Sequence, residues 1–310
     1  MTAFSTIRSI PGRAGSIRSI ALLRGIAVLL VVWDHGAGSW NVNHGRSWRA
    51  VELSQDWITH PLGIIQDTGW LGVSLFFLVS GYIISAVGIR ESRRVFAIKR
   101  FLRIYPPLWA SMLLIIGVEA IRHALDRPRI DYTVSQLAWA ATLLNYVNGV
   151  PAVNGVAWSL IIEVMFYALV LALLPLLAKR PVIAIGIELV IIGAVILTAR
   201  SFPGARYEAD WFLFAASVSY LPLLVIGQCI WMWHAGRASA RTATAIGAVA
   251  WLVFVLGMRR IHTSFLADGN LYGPSVAIAV AAMLLALLTE ERWRLPRWIA
   301  AVSVVSYSVY

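Results

Sequence analysis

The stretch "LLRGIAVLLVVWDHGAGSW", residues 22–40, is apolar enough to cross a bilayer, yet it carries Arg24 near one end and Asp34 and His35 near the other. Arg24 and His35 are eleven residues apart. In a helix that spacing brings them to within ~20° of one azimuth with a rise of ~16 Å, so they share one face. Charged side chains in a membrane helix cost several kcal/mol, usually face the bundle interior or a water-filled cavity, and commonly mark a substrate or proton path. An imidazole there suits general-base chemistry, because histidine is the residue type whose ordinary pKa lies closest to neutral pH. The plainer readings are that Arg24 snorkels to the headgroups and fixes topology, and that His35 is interfacial. Asp34 lies about 100° round the helix from His35 and reads as interfacial or supporting.

A second constellation is "WSLIIEVMFY", residues 158–167, where Glu163 stands a turn and a half into an apolar helix. A carboxylate there needs a proton or a partner, such as a neighbouring arginine or an imidazole that it orients. A third is "KRFLRIYPPLW", residues 99–109, in which Arg100 and Arg103 stand one turn apart on one helical face, with Pro106 and Pro107 opening the span. Two guanidiniums at that spacing can hold a phosphate or pyrophosphate through forked hydrogen bonds; the plainer reading is a topology anchor.

The elements that must position these groups are membrane helices. Of the 310 residues 59% are hydrophobic and 13% charged, with a mean hydropathy of +0.75. A soluble domain averages about 25% charged residues. The net charge of +11 sits in short arginine-rich runs between apolar segments, which is topology patterning and excludes nucleic acid as a partner. One cysteine, Cys229, excludes an internal disulfide framework. Apolar stretches fall at 20–39, 69–89, 104–121, 157–178, 181–199, 212–233, 242–258 and 271–289. Backbone in hydrocarbon must satisfy itself, and no dyad alternation suggests a barrel, so the expected fold is all-α, a polytopic helical bundle forming one domain over 1–310. Residues 134–149 either span with difficulty or form a re-entrant element. Residues 40–68 read as one polar loop.

Arg8, Arg13 and Arg18 precede the first span without an acid beside them, which keeps that flank cytoplasmic. The run from Arg90 to Arg103 holds six basic residues and Glu91, again cytoplasmic after two spans. If 134–149 crosses, Arg200, Arg206, Arg259 and Arg260 are cytoplasmic, while Lys179, Arg180, Arg237, Arg241, Arg292, Arg294 and Arg297 lie outside. If it does not, the groups exchange sides and the charge bias improves. A cleavable signal peptide over 1–40 is disfavoured by Arg24 and Asp34 inside the apolar run.

The R-x10-H pair, "SLFFLVSGYIIS", "KRFLRIYPPLW", "WSLIIEVMFY" and the terminal "VSYSVY" occur in an order that resembles acyltransferase family 3, over essentially the whole chain. The resemblance implies about ten helices with both ends cytoplasmic. It also implies transfer of acetyl or another short acyl group from a cytoplasmic coenzyme A thioester to hydroxyls of cell-surface polysaccharides, lipid-linked sugars or small glycosides. His35, Arg24, Glu163, Arg100 and Arg103 match its functional positions, and Asp34, Ser80, Tyr82, Tyr105, Trp158 and Ser159 lie in the same motifs as substrate-contacting or supporting residues. It counts 134–149 as a span, against the charge count. It implies acyl-CoA as donor, no metal, a carbohydrate or glycolipid acceptor and a place in the bacterial cytoplasmic membrane.

In that chemistry His35 takes the acceptor's proton, Glu163 or Asp34 orients the imidazole or stabilises its cation, Arg100 and Arg103 hold CoA phosphates, and Arg24 guides the pantetheine arm or binds phosphate. The alternative is a transporter or flippase using Arg, His and Glu as a proton relay; the Arg100/Arg103 pair and the lack of repeat symmetry favour the enzyme. The thirteen residues from Trp298 to Tyr310 reach only ~20 Å against a ~30 Å hydrocarbon core, so the last helix is expected to be incomplete and the sequence a truncated one.

Overall fold

A computed structural model describes residues 18–39, 44, 45, 48–65, 67–128, 130–262 and 271–290. Arg8, Arg13, Arg292, Arg294, Arg297 and the expected incomplete span 299–310 lie outside the described residues. The described chain is helical, with no strand among the described residues: α1 (Arg18–Trp33), α2 (Thr68–Gly88), α3 (Arg93–Ala124), α4 (Val134–Ala141), α5 (Asn145–Asn148), α6 (Trp158–Lys179), α7 (Pro181–Thr198), α8 (Glu208–Val218), α9 (Leu221–His234), α10 (Ala240–Ile261) and α11 (Tyr272–Leu288). Among the described residues seven helical segments, at 18–36, 68–88, 93–124, 155–179, 181–198, 208–234 and 240–261, are long and apolar enough to cross a membrane, and 272–288 is a shorter apolar helix. The connection from α1 to α2, read from sequence as one polar loop, also holds short helical turns at Arg49–Ser54, Gln55–Thr59 and His60–Leu62.

Local chemistry sets the helix starts. Backbone N–H groups orphaned at an N-terminus take acceptors from side chains. Asp67 accepts from the Trp70 N–H at 2.7 Å at the head of α2. Ser92 accepts from the Val95 N–H at the head of α3. Glu290 accepts from the N–H groups of Arg18 at 2.6 Å and Ser19 at 2.8 Å, tying the end of α11 to the start of α1. Because Ser92 caps α3, that helix starts at Arg93 and not at Pro106, and both prolines lie within it. Arg100 and Arg103 therefore stand on formed helix with fixed spacing.

Contacts fix the direction of each helix. Asp34 lies against Gly69, and Ala27 and Val31 lie against Gly72, so α1 and α2 are antiparallel. Arg103 faces Glu163, and the Arg93 guanidinium donates to the Ala172 carbonyl at 2.9 Å, so α3 and α6 are antiparallel. Gln228 meets Glu188, and Arg260 donates to the Leu197 carbonyl at 3.0 Å, which orients α7, α9 and α10.

One expectation falls here. Helix α3 leaves the face where α1 begins, the Arg18 face, and α6 returns to it, so 134–149 does not cross. Helices α4 and α5 form instead a short dip against the middle of α3: Trp109 Nε1 donates to the Ala141 carbonyl at 3.0 Å and Asn154 Nδ2 to Ser111 Oγ at 3.3 Å. The reason is length and breakage. Eight residues of α4 rise only ~12 Å, and Leu143 and Gly149 adopt left-handed conformations (φ 65° and 72°) that end the two pieces. Lys179, Arg180, Arg237 and Arg241 consequently share the face of Arg18, Arg90, Arg93, Arg94 and Lys99, while Arg200, Arg206, Arg259 and Arg260 lie on the opposite, His35 face. This is the arrangement that charge counting favoured.

Helix α2 is central, packing on α1, α6, α9 and α11. A membrane offers little hydrophobic gain for helix association, so close packing at small residues carries it. A Cβ on Gly81 would overlap the Leu224 carbonyl oxygen, and one on Gly227 the Leu78 carbonyl oxygen. The α2–α9 crossing therefore brings backbone against backbone. It fixes the flanking Ser80 and Tyr82.

Candidate active site

Glu163, 2% exposed, is the hub of three helices. Its Oε1 accepts from Ser80 Oγ of α2 at 2.7 Å, its Oε2 accepts from Tyr167 Oη one turn along α6 at 2.9 Å, and Arg103 Nη2 of α3 lies 4.0 Å from Oε1. A buried carboxylate requires such compensation. Tyr167 closes the stretch "WSLIIEVMFY", and its i+4 spacing from Glu163 is the sequence signal for this contact.

Arg100, one turn from Arg103 toward the Arg18 face, lies over the rings of Phe96 at 4.9 Å and Tyr167 at 5.8 Å. Cation–π contact of this kind holds the guanidinium in place. Its Nη2 is 3.6 Å from Glu91 Oε2, and Lys99 Nζ donates to Glu91 Oε1 at 2.6 Å. A groove of about 190 Å³ between α3 and α6 runs beside it, lined by Phe96, Arg100, Phe101, Tyr105, Tyr167 and Leu171 among others. Tyr105 stacks on Phe101 at 4.8 Å along that groove.

His35 stands apart from this hub. It lies in a π-helical turn, Asp34–Ser39, that extends α1, and it is exposed. Its Nδ1 is 2.8 Å from the Val31 carbonyl oxygen. A carbonyl only accepts, so Nδ1 is the donor in this contact, and in a neutral imidazole of this tautomer the lone pair lies on Nε2. A backbone carbonyl thus orients the imidazole; of the two carboxylates expected for that role, Glu163 and Asp34, the first has its oxygens engaged by Ser80 and Tyr167. Such π turns recur at functional sites. Asp34 packs on the head of α2, 3.0 Å from where a Gly69 Cβ would sit. Counting eleven residues down α2 from Gly69 to Ser80, the Glu163 hub is ~16 Å below Asp34, and Arg24, ten residues down α1, reaches the same depth.

Of the remaining expected residues, Tyr82 turns from α2 toward α9, while Trp158 and Ser159 stand at the head of α6, about a turn before Glu163. Tyr82 Oη is 2.6 Å from Nδ1 of His234 at the end of α9. Trp158 packs on Tyr220 at 5.2 Å and edge-on to Phe77 at 6.4 Å, and Ser159 is buried. His234 and Glu188 were missed. Glu188 is fully buried on α7, with Gln228 Nε2 3.4 Å from its Oε1. Nothing local distinguishes a histidine closing an apolar span; only the α2–α9 crossing reveals its partner.

Replacing Glu163 by Gln is expected to cost activity more than stability. A Gln carbonyl still accepts from Ser80 and its amide still meets the Tyr167 hydroxyl, so only the charge facing Arg103 is lost. Glu163→Ala strands two buried hydroxyls and removes the carboxylate that faces Arg103, a change on the order of 3–5 kcal/mol. Melting curves in detergent beside activity per folded molecule separate the two. A Gln variant that accumulates poorly but is fully active per molecule would make Glu163 a structural residue.

Residues 17–310 match the family model of acyltransferase family 3, described as an acyltransferase domain. The chain is 25% identical over 321 residues to a protein named as membrane-bound transacylase BcsY from Komagataeibacter xylinus, a match covering 94% of this chain and 71% of that protein. It is 28% identical over 170 residues to nodulation protein 10 of Rhizobium leguminosarum bv. viciae, covering 50% of this chain and 43% of that one. No solved structure matches.

Proposed function

The chain belongs to acyltransferase family 3 and is a multi-pass membrane acyltransferase, and from that premise we propose that it moves an acyl group, acetyl foremost, from acyl-CoA to a hydroxyl of a cell-surface polysaccharide, lipid-linked sugar or other glycoside. The Arg18 face, with its basic residues, is the cytoplasmic one in this reading, in a bacterial inner membrane.

The observation that carries the proposal is the depth order of the polar groups. Arg100 lies nearest the Arg18 face, Arg103 and Arg24 lie about a turn further in, and the Nε2 of His35 stands at the opposite end, ~20 Å from Arg100 along the helix axes. An extended thioester-bearing arm anchored through phosphates at one end fits that order. Arg100 and Arg103 bind the CoA phosphates, Arg24 steadies the arm, and Tyr105 flanks the groove. At the His35 end the acceptor oxygen attacks the thioester carbonyl as Nε2 takes the hydroxyl proton. The carbon–sulfur bond breaks, and the thiolate of CoA takes up the proton that leaves His35. Ser80 and Glu163 hold Arg103 in position, while Asp34, Tyr82, Trp158 and Ser159 support the walls around the path.

The test is donor binding to the purified chain in detergent. Arg100→Ala with Arg103→Ala is expected to weaken CoA binding by at least about a hundredfold, since each charge-assisted hydrogen bond lost is worth ~1.5–3 kcal/mol and ~1.4 kcal/mol is tenfold. The double Lys replacement keeps the charge without the fork and falls between. Equal affinity in all three proteins would reduce the pair to a topology anchor. Wild-type protein should also hydrolyse acetyl-CoA slowly.

A further inference from the structure

Glu91 is the acid in the otherwise basic connection between α2 and α3, and its side chain is only 8% exposed. Lys99 donates to one of its oxygens at 2.6 Å; the other, Oε2, is buried with no hydrogen-bond partner among the described residues and lies 3.6 Å from Arg100 Nη2. Arg100 Nε is likewise buried without a hydrogen-bond partner. A carboxylate and a guanidinium that served only to hold each other would be expected to close into a forked pair with both nitrogens engaged. Here the two charges face one another across a gap, each keeping an unused polar atom, a costly arrangement for buried groups.

We propose that Glu91 is an internal counter-anion that competes with a phosphate group of the donor for Lys99 and Arg100. The inference rests on the reading that Arg100 binds donor phosphate, and it adds the residue that sets the strength of that binding. A phosphate offers more acceptor oxygens than a carboxylate and satisfies Arg100 Nε and Nη2 together while still reaching Lys99. The displacement needs only side-chain rotation. The Glu91 backbone N–H is held by the Gly88 carbonyl at 3.0 Å, and Ser92 caps α3, so the chain stays in place while the carboxylate swings to the Arg18 face. Lys99 is already 59% exposed and can follow the incoming anion.

The experiment measures CoA and pantetheine binding by calorimetry on the full chain in detergent, for wild type, Glu91→Gln, Glu91→Asp and Glu91→Gln combined with Arg100→Gln. Glu91→Gln is expected to bind CoA about tenfold more tightly than wild type, with unchanged affinity for pantetheine, which carries no phosphate. Glu91→Asp, whose carboxylate is one methylene shorter, is expected to gain two- to threefold and serves if the Gln variant does not fold. Arg100→Gln should erase the gain. Unchanged or weaker CoA binding in Glu91→Gln and Glu91→Asp, or an equal gain for pantetheine, would overturn the competition while leaving Arg100 as a phosphate ligand. Absence of CoA binding in wild type and every variant would instead remove the donor-site reading and the inference with it.

Discussion

His35→Ala is expected to lower acyl transfer by a factor of about 10²–10⁴, the usual contribution of a positioned general base, while the protein inserts and melts as before. The side chain is exposed and its one hydrogen bond among the described residues, to the Val31 carbonyl, is local to its own helix, so little folding free energy depends on it. His35→Asn sharpens the test. The Asn amide can still donate to the Val31 carbonyl, but the Nε2 lone pair is gone, so this variant should be as inactive as the Ala one. Activity of either variant within a few-fold of wild type would rule His35 out as the base. Partial activity in Asn with none in Ala would point to a hydrogen-bonding role instead.

Much of this site was legible because its members repeat within single helices. The Arg100–Arg103 turn follows from helical geometry alone, and the spans lie close to where hydropathy put them; the shared face expected of Arg24 and His35 assumed α-helix throughout, whereas His35 lies in a π-helical turn. What the sequence left open was which helices are neighbours. That Glu163 meets Ser80, 83 residues away, depends on how α2 and α6 lie together. Topology shows the same limit from another side: the charge count and the resemblance disagreed over 134–149, and the charge count was right. An apolar segment with asparagines and two left-handed breaks is suited to dipping into the bundle from one face, and hydropathy alone does not separate that from crossing. The donor end had a further hidden element. Glu91 counted only as one negative charge among six positive ones, and its pairing with Lys99 and Arg100 appears only when the capped start of α3 brings them together.

The largest expected effect on folding comes from two glycines. Gly81→Ala or Gly227→Ala puts a methyl group into a backbone carbonyl of the facing helix, and because the obstacle is backbone, no rotamer change relieves the overlap. Helices α2 and α9 must separate by roughly an ångström or more, at the upper end of the ~1–3 kcal/mol typical of overpacking or beyond it, and close approach at small residues is what holds membrane helices together. Separation also moves Ser80 and Tyr82, on either side of Gly81, away from Glu163 and His234. A misplacement of ~1 Å can cost 10²-fold in rate. Both variants should therefore accumulate poorly, and whatever folds should be much less active per molecule. Gly247→Ala is the matched control: its Cβ would meet only the Cys229 side chain at 3.8 Å, an ordinary contact, so it should accumulate and melt like wild type. Yields and melting curves in detergent read the outcome, and a Gly227→Ala protein indistinguishable from Gly247→Ala would mean that the α2–α9 crossing is wider than described and does not hold the site.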